Sequence, residues 1–394
     1  MTAEETVLTA RQVLPEPSAP IRDGAVLVRG DSVVAVGARA DVLARASPDA
    51  VRHDFGDATV LPGLINCHVH LAFDAGKDPV GTLAGRSEDD LVAGGTERAR
   101  ELLRSGVTTV RDLGDRDGLA FAVRAKAGEA LPRILAAGAP ITVPGGHCHF
   151  FGGEVNDDDE IRALIDANAA AGADVIKVMA SGGQMTPRGA TMWESQFDAR
   201  QLSVIVEHAA RHGLPVAAHA HGADAIEASV EAGVSTVEHC TWMVAPQRTD
   251  LREHVAKKMA ERGIAACSTS SQNWRMMRDR MGPELAQRVY GRLTWMDELG
   301  VTLIAGTDAG LPGSVFGNPV GGLELYEWLG FPRTRILEIA TTDSARVLGL
   351  GAVTGKLAPG YSADLLVVDG DPLKTLSALH DVRLVLARGA RLAG

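Results

Sequence analysis

Short apolar segments alternate with helical segments through the middle of this 394-residue chain. Eight apolar segments have the length and β-branched composition of strands: residues 60–65, 107–111, 133–137, 175–179, 215–218, 236–238, 264–267 and 302–305. Several helical segments end at a glycine just before the next strand, which is typical of a helix C-cap: Gly106, Gly172, Gly213, Gly233, Gly263 and Gly300. Alternating strands and helices pair in parallel, so eight units predict an α/β protein with a closed (β/α)₈ TIM barrel.

Both ends of the chain have a different pattern. Residues 25–29 and 32–36 flank a Gly30-Asp31 turn and predict a hairpin. Residues 363–368 and 382–387 again have the pattern of strands. We therefore expect residues 1–60 and 352–394 to form one small β-sandwich domain, and residues 61–351 to form the barrel.

Composition excludes several classes of partner. The formal net charge of −11 and the lack of a long Lys/Arg cluster predict no nucleic-acid partner. The four cysteines form no C-x-x-C pair, which favours a reducing cytoplasm. The N-terminal segment lacks the features of a signal peptide, and no apolar run approaches membrane-spanning length. The expectation is a cytoplasmic protein without a membrane partner.

Six potential metal donors lie in or directly after these strands. They are His68, His70, Lys177, His219, His239 and Asp308. The C-terminal strand ends of a parallel barrel converge on one mouth, so residues distant in sequence can meet there. Imidazoles and carboxylates are ligands of zinc and similar divalent ions. A single core histidine is usually structural, but this set at five strands predicts a metal site that activates water.

Two of these positions carry particular information. His68 and His70 are two residues apart, which places both imidazoles on one face of an extended strand. Lys177 lies among branched apolar residues, where a charged amine is costly to bury. Either this lysine pairs with a buried acid, or carbon dioxide carbamylates it to a carboxylate that bridges two metal ions. Spacing alone leaves both possibilities open.

The motifs resemble those of the amidohydrolase superfamily, the metal-dependent hydrolases built on a (β/α)₈ barrel. The resemblance rests on Leu61-Pro-Gly-Leu-Ile-Asn-Cys-His-Val-His70, Glu238-His239, Gly306-Thr-Asp-Ala-Gly310 and Gly360-Tyr-Ser-Ala-Asp-Leu365. It covers nearly the whole chain, including the β unit at the termini. Within the superfamily, the segment Ile176-Lys-Val-Met-Ala-Ser-Gly-Gly183 is similar to prolidase-like and carboxypeptidase-like dipeptidases, whose relatives include ochratoxin hydrolases.

This resemblance implies a role for each donor. Lys177 would be carboxylated and would bridge two Zn²⁺ per subunit, although other divalent metals are compatible. His68 and His70, with Lys177 and Asp308, would hold the more buried ion, and His219 and His239 the more exposed one. Asp308 would also be catalytic, taking a proton from the attacking water and passing it to the leaving amine.

The resemblance implies less about the substrate. His147, in the loop after the third strand, matches a substrate-contacting histidine. His221 stands where those dipeptidases often carry a tyrosine, and Trp242 is a candidate for the pocket wall. The leading expectation is hydrolysis of the amide C–N bond of a small-molecule substrate, a dipeptide or N-acyl amino acid. Because relatives often form oligomers, we also expect a homo-oligomer. Alternatives are a cyclic amide or imidazolone hydrolase, a lactonase or phosphotriesterase, and a non-catalytic metal-binding protein.

Overall fold

The structure is a computed structural model that describes residues 4–126 and 130–391. The ends of the predicted terminal domain, residues 1–3 and 392–394, therefore lie outside the described residues. The strands are β1 (Glu5–Val13), β2 (Ile21–Arg29), β3 (Ser32–Ala38), β4 (Val51–Asp54), β5 (Ala58–Pro62), β6 (Leu64–Val69), β7 (Val107–Asp112), β8 (Arg133–Ala136), β9 (Ile176–Met179), β10 (Val216–Gly222), β11 (Thr236–Ala245), β12 (Arg248–Thr249), β13 (Ala265–Cys267), β14 (Leu303–Ile304), β15 (Leu365–Asp369), β16 (Val382–Ala387) and β17 (Ala390–Arg391).

The α-helices follow the same order. They are α1 (Arg39–Leu43), α2 (Pro79–Gly85), α3 (Glu88–Arg104), α4 (Leu119–Arg124), α5 (Asp158–Ala170), α6 (Ala199–Arg211), α7 (Ala223–Ala232), α8 (Glu253–Arg262), α9 (Trp274–Met281), α10 (Pro283–Tyr290), α11 (Arg292–Glu298), α12 (Val320–Trp328), α13 (Arg333–Glu338) and α14 (Ser344–Val347). A π-helical turn spans Ile339–Asp343, and 3₁₀ turns span His149–Phe151 and Leu376–His380. Within the described ranges, no helix combines the length and hydrophobicity needed to cross a membrane.

The predicted α/β alternation is confirmed. Helices separate the parallel strands, and the six glycines expected to end helices all have positive φ, for example 86° at Gly233 after α7. A residue with a Cβ would be strained in this left-handed conformation, so glycine ends the helix at little cost. At the N-terminus of α6, the Asp198 side chain accepts a hydrogen bond from the backbone N–H of Gln201 in a capping box.

The parallel strands form two sheets. One has the order β14-β13-β11-β10-β9, with β12 pairing antiparallel to β11, and the other has the order β6-β7-β8. Single parallel bridges connect their edges, from Val69 to Ala309 and from Ile141 to Val178. The ladders are short at these edges because β14 has two residues and β8 has four.

The terminal segments form one eight-stranded mixed sheet, in the order β17-β16-β15-β5-β1-β2-β3, with β4 beside β1. The prediction was a small β-sandwich domain, and the ladders connect its strands into one continuous sheet. Strand β1 changes partner along its length: Thr6 to Thr9 pair with β4, whereas Gln12 and Val13 pair with β5. This exchange joins all the strands into a single ladder system.

The register of the parallel strands positions the predicted donors. Ala217 on β10 pairs with Lys177 on β9, and His219 pairs with Glu238 on β11. Parallel pairing therefore brings Lys177, His219 and His239 to neighbouring levels near the C-terminal ends of three adjacent strands.

Candidate metal centre

A cavity of about 460 Å³ opens at the C-terminal ends of the parallel strands. All six predicted metal donors line it, as do two of the three predicted substrate-contacting residues: His68, His70, Lys177, His219, His239, Asp308, His147 and His221. The rest of the wall is largely apolar or uncharged and includes Phe73, Met179, Met185, Met192 and Leu311. The arrangement is that of a small-molecule site with its polar groups at the floor.

His68 and His70 both face Asp308 with their Nε2 atoms. The Nε2 atoms lie 3.4 Å and 3.3 Å from Asp308 Oδ1. Each Nδ1 has an acceptor on the other side: Glu238 Oε2 at 2.8 Å from His68, and the Gly114 carbonyl at 3.1 Å from His70. With Nδ1–H donated outward, each Nε2 lone pair points towards Asp308, as a metal-binding imidazole requires.

His219 and His239 form the other side of the floor. Their ring centroids are 4.5 Å apart, and ligand atoms of His219, His221 and His239 lie within 4.8 Å of one another. His219 Nε2 donates to the Gly182 carbonyl at 3.1 Å, and His239 Nδ1 lies 2.6 Å from Thr269 Oγ1. His239 also groups with His68 and Asp308 within the same distance, so the two sides share one floor.

The amine of Lys177 is buried between these groups without a hydrogen-bond partner among the described residues. The side chain is only 1% exposed, and burial lowers the pKa of its amine. An unpaired buried amine is costly for a fold. Lowering its pKa favours the neutral form, which is the form that reacts with carbon dioxide.

Burial keeps most of the cavity histidines neutral, whereas at His70 the nearby Asp308 carboxylate outweighs burial and raises the pKa. Burial lowers the pKa of His68 to about 4 and that of His221 to about 3, and it holds those of His219 and His239 well below the ordinary value. Burial opposes ionisation of Asp308, yet His68 and His70 lower its pKa to about 2. Neutral imidazoles beside an ionised carboxylate are a donor set suited to divalent zinc. The residues present therefore fit a metal ion, and Lys177 fits a carboxylated bridge.

Glu238 and Arg111 belong to this site although the sequence analysis gave them no role. Glu238 accepts from His68 with one oxygen and from Arg111 Nη2, at 2.8 Å, with the other. Burial would raise the pKa of Glu238, but Arg111 and His68 hold it far below its usual range. Arg111 is held in turn by the Cys67 carbonyl at 2.8 Å. Charged residues inside the apolar strands β7 and β11 were the available signal.

Several strained backbone positions lie around the floor. His239 has φ of 65°, Cys240 of 48° and Asp308 of 56°, and Thr269, which contacts His239, has φ of 52°. Non-glycine residues in this region persist only where the surroundings hold them, and they are frequent at functional sites. Arg292 supplies part of that support by donating to the Cys240 and His239 carbonyls, at 3.0 Å and 3.3 Å.

The three candidate substrate residues lie in different surroundings. His147 reaches the cavity with its ring centroid 4.4 Å from that of His219, and His221 Nδ1 lies 3.0 Å from Thr241 Oγ1. Trp242, in contrast, is fully buried and packs edge-on against Trp295, and it does not line the cavity. Positive φ at Trp242 accompanies this inward placement. The expectation that Trp242 forms part of the pocket wall is therefore corrected.

Comparison with known proteins agrees with this architecture. The model of the amidohydrolase family matches residues 59–391. The chain therefore belongs to the amidohydrolase family. It is a hydrolase that acts on amide C–N bonds.

Individual relatives share a quarter or more of their residues with the chain. Ochratoxinase from Aspergillus niger is 27% identical, with 97% of this chain and 85% of that protein covered. An imidazolonepropionase from Ralstonia nicotianae is 28% identical, with 87% and 86% covered. Among solved structures, a Xaa-Pro dipeptidase with bound methionine in the active site is similar at a TM-score of 0.85 and 26% identity, with 99% and 100% covered.

Proposed function

We propose that the protein is a binuclear zinc hydrolase that cleaves the amide C–N bond of a dipeptide or an N-acyl amino acid. His68, His70 and Asp308 would hold one ion, His219 and His239 the other, and carboxylated Lys177 would bridge them. The observation that carries this proposal is the buried, unpaired Lys177 amine on the floor of a cavity lined by the other five donors. As a plain amine it lacks a hydrogen-bond partner in the part of the chain that the structure describes, whereas as a carbamate it would have the two metal ions as partners.

The chemistry divides between the ions and the chain. Bound divalent ions would lower the pKa of a coordinated water and polarise a substrate carbonyl. Asp308 Oδ1, which lacks a hydrogen-bond donor among the described residues, is the proton acceptor within reach of that water. It would then return the proton to the leaving amine. His147 and His221 would orient the substrate, and the apolar wall would exclude bulk solvent.

The substrate class draws support from the similar proteins and from the wall. A Xaa-Pro dipeptidase and an ochratoxinase are among them. Phe73, Met185 and Met192 offer apolar contact beside the neutral imidazoles of His147 and His221. Such a cavity suits an amide with an apolar group on at least one side of the scissile bond.

A cyclic amide or imidazolone is the second candidate, favoured by the similarity to imidazolonepropionase. A binuclear centre of this kind would also suit lactones and phosphotriesters, so the metal centre by itself does not determine the class of substrate. A closed (β/α)₈ barrel is part of the proposal, supported by the bridges that link the two parallel sheets at both edges. The domain boundaries at residues 60 and 352, the cytoplasmic location and the homo-oligomer stay predictions from sequence.

Metal analysis combined with a substrate panel tests the proposal. The protein loaded with zinc and freed of excess metal should retain two ions per chain and should hydrolyse members of a library of dipeptides and N-acyl amino acids. Matched lactones, imidazolones and phosphotriesters distinguish the alternatives. Two tightly held ions with no turnover of any substrate would instead identify a non-catalytic metal-binding protein.

The bridging role of Lys177 has its own test. Lys177→Ala should lose one ion and most activity, and added short-chain carboxylic acids should restore part of both because they replace the missing carboxylate. Unchanged metal stoichiometry in Lys177→Ala would remove the bridge from the proposal.

A further inference from the structure

A second group of metal-binding side chains lies on the protein surface, on two neighbouring helices. His208 lies in the last turn of α6, and His212 follows four residues later at the C-cap, so both imidazoles share one helix face. Asp166 on α5 stands opposite. Its Oδ1 lies 2.7 Å from His208 Nε2 and 2.6 Å from His212 Nε2.

The exposure of these side chains leaves room for an ion and for water. The His208 side chain is 11% exposed, that of His212 is 35% exposed and that of Asp166 is 54% exposed. Ligand atoms of all three lie within 4.8 Å of one another. Two imidazole nitrogens and a carboxylate oxygen on one side of an ion leave its remaining positions open to solvent.

The present distances describe a hydrogen-bonded trio that needs only a small adjustment to bind metal. Ligands at zinc bond lengths in a tetrahedral site stand about 3.3 Å apart, so Asp166 would withdraw by less than about 1 Å. Its half-exposed side chain is free to do so, while α5 and α6 remain packed. The Nε2 hydrogens that now point to Asp166 would be lost, because a bound imidazole is neutral and presents a lone pair.

The position of this trio separates it from the cavity. Helix α6 ends just before β10 begins at Val216, whereas His219 and His221 lie in the C-terminal half of that strand. The trio therefore lies towards the opposite ends of the strands, the face of such folds that contributes to stability rather than to chemistry.

We propose that Asp166, His208 and His212 form a separate binding site for a divalent transition ion such as Zn²⁺, Ni²⁺ or Cu²⁺. The ion links α5 to α6 and stabilises the folded chain by binding it in preference to the unfolded chain. This site is independent of the proposed reaction, since none of its residues lines the cavity.

The test compares metal stoichiometry in the zinc-loaded protein. Wild type dialysed against micromolar Zn²⁺ should hold one more ion per chain than His212→Gln or Asp166→Asn, and its midpoint of thermal unfolding should rise more with added metal. His254→Gln is the matched control, because the His254 side chain is 68% exposed and pairs with one carboxylate, that of Glu227, at 3.1 Å among the described residues. It should retain the additional ion.

Hydrolytic activity, if present, should be equal in all four proteins. When the cavity donors are first loaded with Zn²⁺ and one Cu²⁺ per chain is then added, electron paramagnetic resonance should show a nitrogen-coupled signal in wild type that His212→Gln loses. Equal metal content in wild type, His212→Gln and Asp166→Asn overturns the proposal, whatever the activity.

Discussion

His68 Nδ1 donates to Glu238 Oε2 across 2.8 Å, and both side chains are almost completely buried, at 1% and 0% exposure. The pair sets which nitrogen of His68 carries the hydrogen and therefore which nitrogen faces the cavity. Arg111 donates to the other oxygen of Glu238 and to the Cys67 carbonyl. His68, Glu238 and Arg111 thus form one buried, hydrogen-bonded chain. The orientation of a floor histidine thus depends on two side chains, Glu238 on β11 and Arg111 on β7, that are not among the predicted metal donors.

Replacing Glu238 by glutamine should weaken metal binding. The amide can still accept a hydrogen bond, but it loses the charge that Arg111 and His68 require, so we expect metal affinity to fall about 10- to 100-fold. Competition with a chelator measures the change. Glu253→Gln, which removes a surface carboxylate paired with Lys257, is the control and should leave affinity unchanged. Equal affinities in both variants would show that the charge of Glu238 has no bearing on the site.

The metal-free protein should become more stable when Lys177 is replaced by methionine. Among residues 4–126 and 130–391 the buried amine has no hydrogen-bond partner, so removing it relieves a desolvation cost of about 1–3 kcal/mol, while the chain length of methionine fills the same space. Urea unfolding of both proteins after chelation measures the difference, and Lys257→Met serves as an exposed control. A less stable Lys177→Met protein would indicate that the amine is satisfied in the metal-free state.

Asp308→Asn should retain the fold and lose turnover. Asparagine tolerates the left-handed φ of 56° at this position, so a change in activity will not reflect backbone strain. Loss of the proton acceptor should lower kcat by roughly 10²- to 10⁴-fold. Steady-state kinetics at matched metal content are the measurement. An Asp308→Asn protein with wild-type kcat would contradict the proton-transfer role.

Gly183→Ala should affect substrate binding through His147. A Cβ at Gly183 would lie 2.4 Å from His147 Cε1, so the imidazole must move. If His147 contacts the substrate, KM should rise with a smaller change in kcat. Gly37→Ala is a suitable control, because its Cβ would meet only Val42 Cγ2 at 3.7 Å. A fall in kcat at constant KM would assign His147 to the chemical step instead.

Arg292→Lys should loosen the strained segment that carries His239. A lysine amine cannot reach the Cys240 and His239 carbonyls in the manner of the planar guanidinium, which also donates to the Val289 carbonyl. We expect a loss of stability of about 1–3 kcal/mol together with weaker metal binding. Denaturant unfolding and metal analysis report the two effects separately. A loss of stability with unchanged metal affinity would show that Arg292 supports the fold but not the metal site.

Sequence analysis located the residues that line the cavity better than the strands that hold them. Residues 60–65 were expected to form one strand, but the chain breaks at Gly63 between β5 and β6. A Cβ there would lie 2.0 Å from Thr108 Oγ1, so the chain needs glycine where it leaves one sheet and enters the other. Apolar periodicity cannot reveal such a crossing because both halves are buried.

Sequence analysis also missed features of the site, because they depend on the path of the folded chain. The strand expected at residues 215–218 is longer, because β10 continues through His219 and His221 to Gly222. Trp242 was expected at the cavity and lies in the core, since positive φ at His239, Cys240 and Trp242 redirects the chain after His239. Glu238 was visible as part of a motif, but its partner Arg111 lies 127 residues away. Only the folded chain reveals that contact.

Val60 of β5 pairs with Val367 of β15, so the first and last parts of the chain complete the same sheet. During synthesis, β5 must wait for some three hundred further residues before its final neighbour leaves the ribosome. Until then its edge is open to other chains, a hazard that cells commonly manage with chaperones. Premature termination before β15 would make that exposure permanent and direct the fragment towards aggregation or degradation.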